Sequence, residues 1–583
     1  MQLINLFFLL IFTIMLQSCA HSDKKDKICP KVTIHSVENF ELTDTEKRLI
    51  CGDPDSVAYK VIPSYQASYL LTGFLQSRGY SSPRFEYTDD LLDVYPEDKA
   101  YLTQVIVKSG FDIDDKNIQT EIMRKYKKDV ITPKLLDSIE DEALSIVRNR
   151  AYPCAKLESS VDASKGEVTI VVNGMEPFKF GHVAKEHIEG VDDRALARFY
   201  PFIEADYFSE KKLTLTEKRF VRSGIVQGTY FQEKCDLKTK SFSLSQQFIA
   251  GTAKTIRLGI GASTEVGPMV RAKWSNQRAG DMASLIEANA QLSFKNQYFN
   301  IISDRYMWPE TPRRSLLTTL ELERDKQTTF EESSATLKPH IQWTRDGTSR
   351  LWTWSVGPTL IASSYVTNES DSDTKKIKTG AIEGLLQTKS HDYELFDLHP
   401  ENGDFFQFNF DFRHPSFGFI DPLLKLDLTY LRLMKIGNLG KGEAIAGVRV
   451  NTSTTWVQDF VKLDDLPPSV KYYGGGSDDI RGFDLSSLPS NNGLGSLTKF
   501  SLKLELRKTY VFIPAIESFT FIDLGFFGLR SWELDEQLWY SPGIGLRWLS
   551  PIGMVQTYVA RGLSNRSIRD QGTQFYLGLG GVF

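Results

Sequence analysis

After residues 1–20, the chain of 583 residues has no apolar run long enough for a membrane helix. A helix that crosses the hydrocarbon core of a bilayer needs about 20 consecutive, mostly apolar residues. If the mature protein crosses a membrane, it therefore does so with β-strands.

Positive charge is not in excess either. The formal net charge is −5, and no basic run is evident apart from a short DKKDK at residues 23–27. Proteins whose main partner is nucleic acid present a basic patch or stripe. The composition therefore argues against nucleic acid as a partner.

Patterns typical of enzymes and metal sites are also missing. The 8 histidines are scattered and no G-x-S-x-G nucleophile motif occurs. The spacing of the 5 cysteines matches no zinc site. His414 and Ser416 form the nearest pair of a base and a nucleophile, but a separation of two residues in a loop carries little weight. We therefore expect no enzymatic activity, no cofactor and no metal ion.

The N-terminus predicts export. An apolar core over residues 3–16 is followed by small and polar residues, which is typical of a secretory signal. The letters LQSC, which end at Cys19, resemble a bacterial lipobox. This resemblance implies a signal peptide over 1–18, acylation of Cys19 and a lipidated linker over 19–29. The alternative is a plain signal peptide cut near Ala20.

Four further cysteines, Cys29, Cys51, Cys154 and Cys235, are an even number, as two disulfides in an oxidising compartment require. We predict a disulfide between Cys29 and Cys51 and leave the pairing of the other two open. Four reduced thiols are the alternative.

The first part of the mature chain repeats a mixed helix and strand pattern. An amphipathic helix runs into Tyr80, Tyr152 and Thr229-Tyr230 in turn, and such a period predicts tandem domains. Each unit has the order strand, helix, helix, strand, strand. This order resembles polypeptide-transport-associated (POTRA) domains, which implies an exposed sheet edge that accepts an extended client chain by β-augmentation. Modules that act only as spacers are the alternative. The three POTRA-like modules are predicted at residues 30–97, 98–176 and 177–251.

Beyond residue 251, apolar and polar residues alternate with period two up to the end of the chain. In KFSLKLELRK, at residues 499–508, the leucines fall on one face and the ionisable residues on the other. A soluble sandwich also alternates, but many successive strands of about ten residues favour a transmembrane barrel. We predict a barrel of about sixteen antiparallel strands over residues 252–583. The fold class is thus α+β POTRA repeats followed by an all-β transmembrane barrel.

The stretch GGGSDDIRGFDL, at residues 474–485, lies between two of these alternating segments. Ile480-Arg481-Gly482-Phe483 resembles the (V/I)RG(F/Y) motif of the BamA and TamA superfamily of outer-membrane insertases, and FIDLG at residues 521–525 resembles its F-x-D-x-G motif. Strand parity independently places Phe521, Asp523 and Glu505 on the lumen side. The resemblance implies a loop folded into the lumen and locked to the wall by Arg481. The predicted lock residues are Arg481, Gly482, Phe483, Glu505, Phe521, Asp523 and Gly525.

The first and last barrel strands, KTIRLGIGAST and QFYLGLGGVF, both contain glycines. Glycine weakens a strand, because it packs no side chain and loses more backbone entropy when it is ordered. We therefore predict that the seam between these strands opens laterally. The seam residues are Gly259, Gly261, Gly578, Gly580, Gly581 and Phe583.

The resemblance implies a non-enzymatic protein of the Gram-negative outer membrane with its modules in the periplasm. Such a protein inserts or exports unfolded outer-membrane or secreted clients and contacts outer-membrane lipid. Three modules and a lipidated N-terminus are closest to TamA or a TamA-like lipoprotein. The implied partners are accessory lipoproteins or an inner-membrane-anchored, TamB-like protein. The alternatives are a two-partner-secretion-type transport pore, a lipid-handling protein and a barrel enzyme such as a phospholipase.

Overall fold

The computed structural model of the protein describes most of the chain, as two compact units over Met1–Pro177 and Phe178–Phe583. Cys19 and the seam residues Gly580, Gly581 and Phe583 lie outside the described residues. The described residues are 24–36, 42–56, 59, 63–88, 91–110, 113–174, 176–236, 241–327, 329–367, 374–396, 399–418, 421–440, 442–458, 463–489, 493–550, 553–566 and 572–579.

The first unit begins with a four-stranded sheet in the order β1-β2-β4-β3, in which β2 and β4 are parallel. Two helices pack on this sheet around a core that includes Ile34, Leu71 and Val94. The strand β1 starts inside the stretch interpreted as a linker, so that this stretch is partly sheet. A disulfide joins Cys29 to Cys51. The elements are β1 (Lys24–Cys29), β2 (Val32–Ser36), α1 (Asp44–Cys51), α2 (Ser64–Ser77), β3 (Arg84–Thr88) and β4 (Leu91–Tyr95).

A second sheet, in the order β5-β7-β6, follows in the same unit, and again its first strand is parallel to its last. Its second helix starts where Thr132 accepts a hydrogen bond from the backbone N–H of Leu135 at 3.1 Å. The face that carries Ile139, Ala143 and Val147 is fully buried. The elements are β5 (Gln104–Ser109), α3 (Asp115–Tyr126), α4 (Pro133–Arg148), β6 (Lys156–Asp162) and β7 (Glu167–Asn173).

The second unit opens with a third sheet, in the order β8-β10-β9, with β8 parallel to β10. Its strand order is that of the second sheet, and of the first sheet without β1. Its long helix buries Leu213 and Phe220. We call this part module 3. Its elements are β8 (Ala184–Lys185), α5 (Asp193–Leu196), a 3-10 turn (Ala197–Phe199), α6 (Glu210–Ser223), β9 (Val226–Asp236) and β10 (Ser241–Ala250).

The rest of the second unit is a closed antiparallel barrel of sixteen strands, in which β25 and the two-residue β26 form one strand. The predicted fold class is confirmed. The barrel strands are β11 (Lys254–Ser263), β12 (Gly267–Ala279), β13 (Ser284–Ser293), β14 (Asn296–Arg305), β15 (Arg314–Lys326), β16 (Phe330–Asp346), β17 (Arg350–Thr367), β18 (Lys375–Ser390), β19 (Gly403–Arg413), β20 (Leu423–Leu439), β21 (Gly442–Val457), β22 (Thr498–Lys508), β23 (Ile516–Gly528), β24 (Trp539–Ser550), β25 (Gly553–Arg561), β26 (Leu563–Ser564) and β27 (Thr573–Leu579).

The alternation of the sequence becomes two faces of the barrel wall. On β11 the side chains of Ile256, Leu258 and Ile260 are 73%, 79% and 84% exposed on the outer face. Closure pairs backbone groups that a bilayer could not solvate. No helix in the described part of the chain is both long and apolar enough to cross a membrane.

Short helical segments lie in the connections between barrel strands, where the alternation predicts only loops. A helix, α7, follows β18 and begins where Ser390 accepts a hydrogen bond from the N–H of Tyr393. These elements are α7 (His391–Leu395) and the 3-10 turns Pro415–Phe417, Leu463–Asp465 and Pro468–Val470.

Candidate functional site

The loop between β21 and β22 folds into the barrel. It is described over residues 463–489 and 493–497. Near its tip, Ile480 is 0% and Arg481 is 3% exposed. The turn before the tip needs glycine at position 476, where φ is +92° and the N–H donates to the carbonyl of Phe483 at 2.9 Å.

Arg481 is bonded to the barrel wall by its side chain and its backbone. Its Nε and Nη2 donate to the two carboxylate oxygens of Asp523 at 2.8 and 2.7 Å, and its backbone N–H donates to the same carboxylate at 3.1 Å. Its Nη1 donates to Glu505 at 2.6 Å. A planar guanidinium that holds a carboxylate with two parallel bonds fixes orientation as well as distance. The structure thus brings together Arg481, Asp523 and Glu505.

Glu505 belongs to a larger ionic network that the sequence reasoning missed. It also accepts hydrogen bonds from Arg507 at 2.7 Å and from Arg547 at 2.9 Å. Arg547 in turn contacts Glu517, which pairs with His399 at 3.0 Å. Among the described residues, the ion-pair partner of Asp523 is Arg481. Asp523 therefore relies on Arg481 to balance its charge, whereas Glu505 also has Arg507 and Arg547 as cations.

A series of three aromatic rings links Arg481 to the last barrel strand, β27. The guanidinium carbon lies 3.4 Å from the ring centroid of Phe521, a cation–π contact. Phe521 meets Tyr558 of β25 edge-on at 5.6 Å, and Tyr558 stacks on Tyr576 of β27 at 4.8 Å. In the sequence, these tyrosines are lumen-side residues of separate strands. No local pattern therefore predicts that their rings form a series.

The other predicted lock residues pack around the arginine. A side chain at Gly482 would lie 2.4 Å from Ser541 Oγ and 2.7 Å from the backbone N of Gly562, so the loop backbone touches the wall here. Phe483 is buried edge-on against Trp539 at 5.5 Å. A side chain at Gly525 would lie 2.2 Å from Ile480 Cδ1. Both glycines are therefore at close approaches of loop and wall.

The loop also contacts the first hairpin of the barrel. Ser477 donates from its backbone N–H to Glu265 at 3.0 Å and from its hydroxyl at 2.7 Å. Glu265 lies in the turn between β11 and β12. The two residues are 212 positions apart, and no motif in the sequence links them.

The barrel closes between β11 and β27. The described pairs are Ala262 with Leu579 and Ser263 with Gly578, and Thr264 adds a hydrogen bond from its N–H to the carbonyl of Leu577 at 3.0 Å. On its other side, β11 pairs with β12 from Lys254 to Ser263.

The predicted seam glycines lie in these two strands. Gly261 adjoins the closure, since a side chain there would come within 2.7 Å of the carbonyl of Leu579. Gly578 pairs with Ser263, and Gly259 pairs with Arg271 of β12 on the other side of β11.

Module 3 is attached to the barrel by a buried ionic cluster that the sequence did not reveal. Arg219, on α6, is 8% exposed and donates to Glu394 of α7 at 2.7 Å and to Asp346 at 2.8 Å. Burial lowers the pKa of the Arg219 guanidinium, but the hydrogen bonds to Glu394 and Asp346 outweigh it, so the pKa lies above that of ordinary arginine. Arg313 also binds Asp346, at 2.9 Å.

His414 and Ser416, the nearest pair of a base and a nucleophile, meet in a turn. The Nδ1 atom of His414 lies 3.0 Å from the hydroxyl of Ser416 and accepts from its backbone N–H at 3.2 Å. The contact caps the 3-10 turn Pro415–Phe417, which accounts for it without catalysis.

Comparison with solved structures places this fold among known proteins. The chain is similar to BamA from Haemophilus ducreyi lacking POTRA domains 1-3, with a TM-score of 0.51 and 14% identity over 82% of this chain and 99% of that one. This likeness shows the fold alone. CdiB from Acinetobacter baumannii has a TM-score of 0.47 and 15% identity, over 82% of this chain and 90% of that one.

A family model also matches this chain. The Omp85 superfamily domain matches residues 283–583, which is more than half of the chain. The resemblance to the BamA and TamA superfamily is confirmed at this level, and no comparison singles out TamA. This protein belongs to the Omp85 superfamily, and it is an outer-membrane β-barrel with the fold of the transporters and insertases of that superfamily.

Proposed function

We propose that this protein passes unfolded client polypeptides into or across the outer membrane by opening the barrel between β11 and β27, without enzymatic chemistry. The observation that carries the proposal is the position of two glycines at the described closure, where Gly578 pairs with Ser263 and Gly261 lies against the carbonyl of Leu579, since glycine weakens a strand. An unpaired backbone group in a bilayer costs several kcal/mol. A client strand that pairs with the opened edge removes this cost by β-augmentation.

The locked loop touches both sides of this seam. Ser477 binds Glu265, beside β11, while the aromatic series from Phe521 ends at Tyr576 on β27. A shift of the loop therefore changes contacts on both seam strands. In the proposed function, the Arg481 lock holds the loop in the position that supports the closed seam.

The periplasmic modules supply the first contact with a client. In the second sheet, β6 is an edge strand, and in module 3, β9 is an edge strand. An exposed edge presents unpaired N–H and C=O groups to an extended chain. We assign the capture of clients to these edges. Delivery through accessory lipoproteins or an inner-membrane, TamB-like partner is part of the proposal.

A disulfide across the seam tests the proposal. Ala262→Cys with Leu579→Cys joins an in-register pair on the outer face, and Phe408→Cys with Leu428→Cys joins a matched pair between β19 and β20. The assay is insertion of an unfolded outer-membrane protein into vesicles that contain the full chain. Oxidation should block insertion in the seam variant and not in the control, and reduction should restore it.

Full insertion by an efficiently oxidised seam variant would contradict lateral opening. A second outcome would favour a two-partner-secretion-type transport pore as the function. In that outcome, export of a soluble client survives oxidation of the seam and is lost only when the loop is cross-linked to the wall.

A further inference from the structure

A groove of about 470 Å³ lies on the outer face of the barrel wall formed by β15 to β18. Strands β11 to β14 separate it from the seam. Its side chains point to lipid, since Leu360 is 58% exposed while its neighbour Thr359 is 0% exposed. The groove is therefore a feature of the membrane-facing surface and not of the lumen.

The floor of the groove is apolar. Leu320, Leu337, Leu360 and Gly380 form one in-register row across the four strands. The missing side chain of Gly380 leaves room for Phe417, whose Cβ would lie 3.2 Å from a Cβ at that position. Phe417, 41% exposed, forms one wall of the groove.

The next row lies further from module 3 and is less apolar. It consists of Leu322, Ala335, Ala362 and Lys378, again in register. The two alanines keep the groove open between a leucine on one side and a lysine on the other. Lys378 lines the groove and is exposed.

One row further, the outer face is polar throughout. Arg324, Ser333, Ser364 and Lys376 lie side by side. Arg324 binds Glu331 at 2.6 Å. Rows on one face are two residues apart, or roughly 7 Å, so this row lies directly above the apolar groove.

Neither Lys376 nor Lys378 has a carboxylate within 4.0 Å in the part of the chain that the structure describes. Lysine on the lipid face of a barrel is tolerated only near the interface, where its charge attracts anionic headgroups. Two such lysines and a neighbouring serine hydroxyl suit a phosphate group, which lysine binds as a point charge.

We propose that this groove is a binding site for one anionic lipid with a phosphate in its headgroup. An acyl chain lies over the leucine row beside Phe417, in the space that Ala335 and Ala362 leave open. The headgroup phosphate binds Lys378 and Lys376 at the end of the barrel that faces away from module 3.

Native mass spectrometry of the full chain in detergent tests the site with three probes: phosphatidic acid, phosphatidylcholine and inorganic phosphate. Phosphatidic acid should bind more tightly than phosphatidylcholine. Lys376→Gln with Lys378→Gln should weaken its binding roughly thirtyfold, since each lysine near a membrane surface contributes about 1 kcal/mol. Ala362→Phe, which fills the groove, should weaken binding with both lysines in place.

Lys338→Gln is the matched control, because Lys338 lies on β16 but pairs with Glu383 at 3.3 Å on the lumen side. It should bind phosphatidic acid like the unaltered protein. Heat-dependent gel mobility checks that each variant is a closed barrel. If Ala362→Phe does not fold, the binding of phosphatidic acid by the double glutamine variant tests the proposal by itself.

Equal binding of phosphatidic acid and phosphatidylcholine would overturn the proposal, as would undiminished binding of phosphatidic acid by the double glutamine variant. Inorganic phosphate that displaced phosphatidic acid completely would also overturn it, because the acyl chain would then contribute nothing.

Discussion

Replacing Arg481 with alanine should release the loop from the barrel wall while the strand ladder survives. The guanidinium is 3% exposed and donates to Asp523 and Glu505 at 2.6 to 2.8 Å. Truncating one partner of a buried ion pair costs about 3–5 kcal/mol, because the remaining charge stays buried without its partner. We expect the free energy of unfolding to fall by this amount.

The loss of stability on removal of Arg481 should depend more on Asp523 than on Glu505. Asp523 is 0% exposed and pairs with Arg481, whereas Glu505 also pairs with Arg507 and Arg547. In double-mutant cycles we therefore expect Arg481→Ala to couple to Asp523→Asn by roughly 2–3 kcal/mol and to Glu505→Gln by about 1 kcal/mol. Asp523→Asn should thus rescue part of the loss caused by Arg481→Ala.

The assay is reversible urea unfolding in phospholipid vesicles, with protease cleavage within residues 474–489 as the readout of loop release. Arg449→Ala is the matched control, because Arg449 lies on β21 and contacts Asn451 at 3.3 Å rather than a described carboxylate. It should cost less than Arg481→Ala, because it removes one hydrogen bond of a charged group, worth at most about 1.5–3 kcal/mol, and leaves no described carboxylate without its cation. Strictly additive losses in the Asp523 cycle, or equal losses for Arg481→Ala and Arg449→Ala, would refute the lock.

Three further predictions concern the N-terminus, module 3 and the loop tip. Cys19→Ala should abolish labelling by fatty-acid analogues and leave the barrel inserted, since the barrel anchors itself; labelling that persists would reject the lipobox. Arg219→Gln should raise hydrogen exchange in α7 (His391–Leu395), because it leaves Glu394 buried without its cation at a cost of about 3–5 kcal/mol. Lys211→Gln, which removes a half-exposed pair with Asp392, should cost less than about 1 kcal/mol, and equal effects would argue against the ionic cluster. Gly482→Ala should reduce client insertion and increase cleavage of the loop, because the added methyl group would meet the barrel wall; unchanged cleavage would show that the close approach is not needed.

The barrel could be predicted from the sequence because its signal is local. Each strand of a membrane barrel faces lipid on one side and the lumen on the other, so period-two alternation appears within ten residues. The same parity was enough to predict that Glu505, Phe521 and Asp523 face the lumen. The partner of Arg481 was implied by the resemblance to a family and not by parity, since alternation gives a side and not a neighbour.

Helices were harder to predict in the barrel region. The helix α7 is only five residues long, too short for a helical period to stand out against the alternation around it. Its importance comes from Arg219, which is 175 positions from Glu394. A contact of this kind depends on how module 3 meets the turns of the barrel.

By itself, the sequence determined the strands, their two faces and the loop with its arginine. Only the tertiary structure decided the neighbours across strands: Glu265 against Ser477, the aromatic series that ends at Tyr576, and the lysine and serine rows above the outer groove. The reason is register. Shifting one strand by two residues keeps every side chain on its own face but replaces every cross-strand neighbour, so alternation cannot specify which rows form. The closure of the whole barrel selects them.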